Sequence, residues 1–187
     1  SCLPKDTRAL AALGRTLRLE TPVLSHIERS NQAQKRRAVE MILAYGVKEI
    51  AVMGLSFKPG TDDLRQSPML EVAEALLAEG CHLRVYDPNV WRAAQTSFGA
   101  ERLARQAPWL PPLLLETLEE AMEGAEAFVV AHREAAFEAL PARYPGRVLI
   151  DLARVWETLD YDGLYEGIAW RNINHAQRAS SAPHARP

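Results

Sequence analysis

The chain has 187 residues, 48% of them hydrophobic and 25% charged, which supports one globular domain with extra elements and excludes wholesale disorder. The net charge of −2 and pI near 6.2 give no electrostatic reason to expect a nucleic acid or an anionic membrane as partner. No apolar run approaches the roughly 20 residues of a membrane span, the scattered histidines lack metal-ligand spacing so no metal is expected, and two cysteines, Cys2 and Cys81, point to a reducing cytoplasm.

In chain order, residues 4–18 read as a helix, with Pro4 at a first helical position and Asp6 in the first turn. Residues 21–45 read as a longer amphipathic helix ended by Gly46, its middle, ERSNQAQKRR, polar all round and suited to a surface or a domain junction. EIAVMGL (49–55) reads as a strand, and SPMLEVAEALLAEG (67–80) as a helix capped by Ser67, started by Pro68 and stopped by Gly80. HLRVYDP (82–88) is a second strand, WRAAQTSF (91–98) a helical stretch, and 107–115 an irregular Pro-rich segment before a short helix at 116–124. A third strand at 126–131, a short helix at 133–140 and a fourth strand at 147–153 complete the pattern, and 175–187 reads as a disordered tail. Strands alternating with helices predict an α/β fold: an open, four- or five-stranded, doubly wound parallel sheet preceded by two helices.

Ligands on such sheets sit outside the carboxyl ends of the strands, which directs attention to GLSFKPGTDDLRQSP, residues 54–68. This connection is longer than the few residues usual between strand and helix. It carries Lys58, Asp62, Asp63 and Arg65 and ends at a helix start, a combination suited to phosphate or carboxylate. It lacks the G-x-G-x-x-G fingerprint of dinucleotide sites. The alternative is a solvated charged loop whose Asp and Arg pair with each other. Cys81 reads as core, and Trp91, Trp109, Trp156 and Trp170 as packing residues.

SCLPKD at 1–6, RSNQ at 29–32, the 54–68 loop and VYDP at 85–88 resemble, in order and spacing, the nucleotide-sugar 6-dehydrogenase family of UDP-glucose and GDP-mannose 6-dehydrogenases. Residues 91–170 follow the family's final domain more loosely, closing with YEGIAW at 165–170. SCLPKD and LSFK-GTDDLR look most like the GDP-mannose branch. The resemblance implies a piece of a longer chain: residues 1–46 as the end of a central helical dimerisation region, and 47–174 as a Rossmann-like nucleotide-sugar-binding domain. An N-terminal NAD-binding domain would precede them, and the parent enzyme would be a cytoplasmic homodimer.

The resemblance also implies chemistry: oxidation of a sugar C6 alcohol to a carboxylate with two NAD+, through a cysteine thiohemiacetal and thioester. Cys2 becomes the nucleophile, placed just before a helix N-terminus with Lys5 one turn on; Asp6 becomes the residue that orients or deprotonates water. Lys5 and Arg65 match residues near NAD, and Lys58 the lysine that contacts the nucleotide sugar. Arg154 sits roughly where UDP-glucose enzymes carry a substrate arginine, and Asn31 matches a recurrent asparagine without an assigned role. A UDP-glucose or UDP-N-acetylmannosamine enzyme, or a non-catalytic nucleotide-binding or dimerisation module, are the alternatives.

Overall fold

The structure, a computed structural model, describes the backbone of residues 2–168, 170 and 171 and the side chains of residues 4–168. The tail at 175–187 and the side chain of Trp170 lie outside the described residues. Two helices, α1 (Cys2–Thr16) and α2 (Pro22–Leu43), precede a sheet of β1 (Glu49–Met53), β2 (His82–Tyr86), β3 (Ala127–Val130), β4 (Val148–Asp151), β5 (Leu164–Gly167) and β6 (Trp170–Arg171). The spatial order is β2-β1-β3-β4-β5-β6; the first five are parallel and β6 runs antiparallel to β5. The α/β expectation stands.

Alternation along each strand builds two cores. Ile50, Val52, Val85, Val129 and Ile150 face α3 (Pro68–Ala78) and the C-terminal half of α2, where Ala38 and Ile42 are buried. Ala51, Met53, Phe128, Val130 and Leu149 face the other way, under α6 (Leu118–Met122), α7 (Ala135–Glu138) and α8 (Leu140–Arg143). Buried strands in a parallel sheet read as continuous apolar runs because both faces are covered, and β1, β3 and β4 do so.

Four local expectations change. The 91–98 stretch is two helices, α4 (Pro88–Ala94) and α5 (Ser97–Gln106), because Thr96 caps the second, its Oγ1 accepting from Gly99 N at 3.1 Å. The second strand ends at Tyr86, since Asp87 turns to cap α4, its carboxylate accepting from Asn89 N and Val90 N. β5 and β6 follow the four strands placed in the sequence and bring the sheet to six, one more than the four or five expected. Finally, α1 starts at Cys2, so Cys2 is within the helix rather than ahead of it, and Asp6 falls beyond the first turn, where the helix dipole has faded.

Candidate functional site

β2 and β3 flank β1 on opposite sides, and the chain leaves β1 toward α3 on one face and β3 toward α7 on the other. The carboxyl ends of β1 and β3 are therefore a topological switch point, the place where ligands bind open α/β sheets. Five buried polar or charged residues gather along this edge: Ser56 and Ser67 on the β1–α3 loop, Asp87 after β2, His132 after β3 and Asp151 at the end of β4.

Four of these shape the β1–α3 loop. Asp87 Oδ2 accepts the backbone N–H of Leu55 and of Ser56, each at 2.9 Å. Ser67 caps α3 by accepting from Met69 N at 3.2 Å, and its hydroxyl donates back to the Leu55 carbonyl at 2.7 Å. His132 Nε2 lies 2.7 Å from the Ser56 carbonyl, so the crevice between the β1 and β3 loops is bridged. Gly54, at φ 87°, has no room for a side chain: a Cβ there would lie 2.7 Å from His132 Nδ1. Further out, Phe57 N donates to the Asp63 carbonyl at 2.6 Å and the Ser56 hydroxyl to the Lys58 carbonyl at 3.0 Å. Leu64 is buried beneath the loop, and Asp62 pairs with Arg102 of α5.

This frame leaves the tip, Lys58 to Gly60, exposed. The Lys58 ammonium has no ion-pair partner among the described residues. Arg65 is exposed and forks onto Asp63, Nε to Oδ1 at 2.8 Å and Nη2 to Oδ2 at 2.9 Å. The Arg65 guanidinium beside Asp63 lowers that carboxyl to about 2. The simple pairing of Asp and Arg within the loop is thus present, and it ties the exposed guanidinium to the loop's own acid.

The two motif-bearing segments meet at a cleft of about 340 Å³. Pro4 and Arg8 of α1, Asn31 of α2, Phe57 and Gln66 of the loop and Glu71 of α3 line it. That volume is at the small end of the range of about 300–1,000 Å³ for small-molecule sites. Lys5, Asp6, Lys58 and Arg65 do not line it; Lys5 and Asp6 form an exposed pair at 3.4 Å. The side chain of Cys2 lies outside the described residues. No group of three metal-ligating side chains occurs among the described residues, and no helix among them is long and apolar enough to cross a membrane.

Arg154 lies past β4 at φ 51°, a left-handed backbone held by Asp151. The Asp151 carboxylate accepts from Ala153 N (3.1 Å), Val155 N (2.8 Å) and the Tyr165 hydroxyl (3.0 Å). Burial nonetheless pushes its pKa up, against those donors. Cys81 is buried and free; Trp109 Nε1 donates to Glu74 at 2.8 Å, and Trp156 packs edge-on against Tyr165. Sequence reasoning missed Asp87, His132 and Glu134, whose carboxylate lies 3.8 Å from His132 Nδ1. Asp87 had a signal, an acid directly before a proline after a strand; His132 and Glu134 had none.

Residues 51–158, more than half of the chain, match the model of the UDP-glucose/GDP-mannose dehydrogenase family, UDP binding domain. The chain belongs to the UDP-glucose/GDP-mannose dehydrogenase family. It is 36% identical over 172 residues to a GDP-mannose 6-dehydrogenase of Pseudomonas savastanoi pv. phaseolicola, covering 91% of this chain and 39% of that protein. In fold it is similar to the crystal structure of a ternary complex of GDP-mannose dehydrogenase from Pseudomonas aeruginosa, with TM-score 0.84 and 35% identity over 91% of this chain and 39% of that one. It is also similar to a UDP-glucose dehydrogenase from Pyrobaculum islandicum, with TM-score 0.72 and 30% identity over 91% and 37%. The chain thus spans about two fifths of the length of these family members.

Proposed function

We propose that this chain forms the nucleotide-sugar-binding end, with the catalytic cysteine, of a cytoplasmic NAD-dependent nucleotide-sugar 6-dehydrogenase acting on GDP-mannose. The observation that carries the reading is the long β1–α3 loop at the switch point, whose exposed tip carries Lys58 and which meets the first turns of α1 at a neighbouring cleft lined by Pro4 and Phe57. The similarity to GDP-mannose 6-dehydrogenases supports the choice of substrate.

In this reading Lys58, exposed and without an ion-pair partner among the described residues, binds the substrate. A flexible ammonium on a loop tip suits a phosphate oxygen or a sugar hydroxyl. The Cys2 thiolate adds to the C6 aldehyde to give a thiohemiacetal, whose oxidation yields a thioester. Water, oriented by Asp6, cleaves that thioester to the carboxylate and regenerates the thiol. NAD+, when bound, would supply the hydride acceptor for both oxidations, C6 alcohol to aldehyde and thiohemiacetal to thioester. Arg65 and Lys5 are the residues of this chain that would touch it; the Asp63 fork engages Nε and Nη2 of Arg65, an exposed guanidinium whose planar donors suit pyrophosphate oxygens. The loop carries no dinucleotide fingerprint, so the main cofactor site belongs to the part of the family's length that this chain does not span.

Leu10 and Leu13 on α1 and Leu17 just past its end, each more than half exposed, support residues 1–46 as a dimerisation element of a homodimer. A UDP-sugar is the second reading, favoured by Arg154, whose backbone Asp151 holds at the same edge of the sheet. The test is NAD+ reduction by the 187 residues alone with GDP-mannose and UDP-sugars. No turnover is expected, and measurable turnover would contradict this division of labour.

A further inference from the structure

Among the described residues, two buried side-chain atoms at the switch point lack a hydrogen-bond partner, His132 Nδ1 and Glu134 Oε1. They face each other at 3.8 Å, an ion-pair separation too long for a hydrogen bond. The other ring nitrogen, Nε2, lies 2.7 Å from the Ser56 carbonyl. A carbonyl oxygen only accepts, so Nε2 carries a proton. A neutral imidazole then turns a bare Nδ1 lone pair toward a carboxylate in a buried place, which is repulsive for both. One further proton removes the conflict, because an imidazolium donates from both nitrogens.

The surroundings favour that proton. Asp87 stands across the crevice from the β2–α4 turn, Glu134 lies on the ring's own loop, and the Tyr86 phenol at the end of β2 sits near Glu134 and Asp87. Arg133, the neighbouring cation, turns away to the carbonyls of Ala153 and Arg154. Burial pulls the His132 pKa down, but Glu134, the Ser56 carbonyl and Asp87 outweigh it and leave it above the ordinary value. Gly54 lies close against the ring, where an added Cβ would come within 2.7 Å of Nδ1, so the end of β1 covers the ring on that side.

We propose that His132 and Glu134 form a proton-held clasp on the β1–α3 loop: with the proton bound, the ring is fixed between Glu134 and the Ser56 carbonyl, and its loss loosens Ser56 and the Lys58 tip. The mechanical link is short, since the Ser56 hydroxyl donates to the Lys58 carbonyl and Phe57 N to Asp63. His132 is a positioning residue. Its consequence for substrate binding rests on the proposed function; the clasp itself does not.

The experiment is an NMR titration of the 187-residue chain from pH 5.5 to 9, following the His132 ring and the exchange protection of the Phe57 amide. The expected result is a His132 midpoint above the ordinary value of about 6.5, with Phe57 protection falling at least about tenfold across it, a loss of local opening free energy near 1.4 kcal/mol. Glu134→Gln offers a neutral N–H to Nδ1 and is expected to keep Phe57 protected at every pH. A midpoint at or below the ordinary value would overturn the clasp, as would a Glu134→Gln chain that keeps the wild-type pH dependence. The readout needs no nucleotide, so a failure of Lys58 to bind GDP is registered separately.

Discussion

The carboxylate of Asp87 accepts the backbone N–H of Ser56 at 2.9 Å, tying the turn after β2 to the loop after β1 across the carboxyl edge of the sheet. The same carboxylate also holds Leu55 N and caps α4 through Asn89 N and Val90 N. One side chain therefore satisfies four backbone donors around a buried position. Truncating it in Asp87→Ala strands them, and each such donor costs about 1–3 kcal/mol when water cannot replace the lost partner. Partial hydration of the exposed side of α4 moderates the sum, and a loss of about 4 kcal/mol is expected by urea denaturation. A loss below about 1 kcal/mol would mean that the loop holds its shape without Asp87.

Ser67 joins the two ends of the same loop. Its oxygen caps α3 and its hydroxyl donates to Leu55. Ser67→Ala removes a cap worth about 1 kcal/mol and a hydrogen bond of similar size. Thermal melting should show a loss of about 2 kcal/mol, while Ser67→Thr, which keeps both groups, should lose less than half of that.

The Arg65–Asp63 fork is on the surface and contributes little to stability; Asp63→Asn should change it by less than about 1 kcal/mol. Its signature is in acid. Arg65 lowers the Asp63 carboxyl from 3.8 to about 2. The pair's contribution is therefore present above the ordinary carboxylate value and is lost only as pH falls through about 2. Carbon-13 NMR of the Asp63 carboxyl should show its midpoint well below those of exposed carboxylates, and Arg65→Gln should return it to their range.

Asp151 is a contrasting case, a carboxylate whose pKa burial raises despite its donors. Asp151→Asn keeps one acceptor oxygen but not both, so one of Val155 N and Ala153 N loses its partner. The turn that places Arg154 in the left-handed region should loosen, seen as faster amide exchange at Val155 with little change in the β1–α3 loop. Coupled loosening of both loops would show that the two ends of the sheet edge are one unit.

Much of this was legible in the residues. The β1–α3 loop announced itself by length and charge, and Ser67-Pro68 by cap chemistry, because both are local. β5 and β6 were not, since LYEG carries no apolar run and the step from β4 to β5 has no helix to mark it. α1 began two residues early because Pro4 is tolerated anywhere in a first turn, where no helical N–H partner is required. His132 looked like one of five scattered histidines because its partners, the Ser56 carbonyl and the Glu134 carboxylate, are fixed by strand order and not by spacing. Asp87 read as the end of a strand, because nothing in VYDP shows which backbone comes to lie across from it.

The central claim is that the β1–α3 loop is a nucleotide-sugar site with Lys58 as its binding cation. The most direct test is calorimetric titration of the purified chain with GDP, UDP and NAD+, repeated on Lys58→Ala. GDP binding that is tighter than UDP binding and weakened at least about tenfold by Lys58→Ala, a loss of about 1.4 kcal/mol, is the predicted result. GDP binding unchanged by Lys58→Ala would contradict the account and move the site elsewhere on the sheet edge.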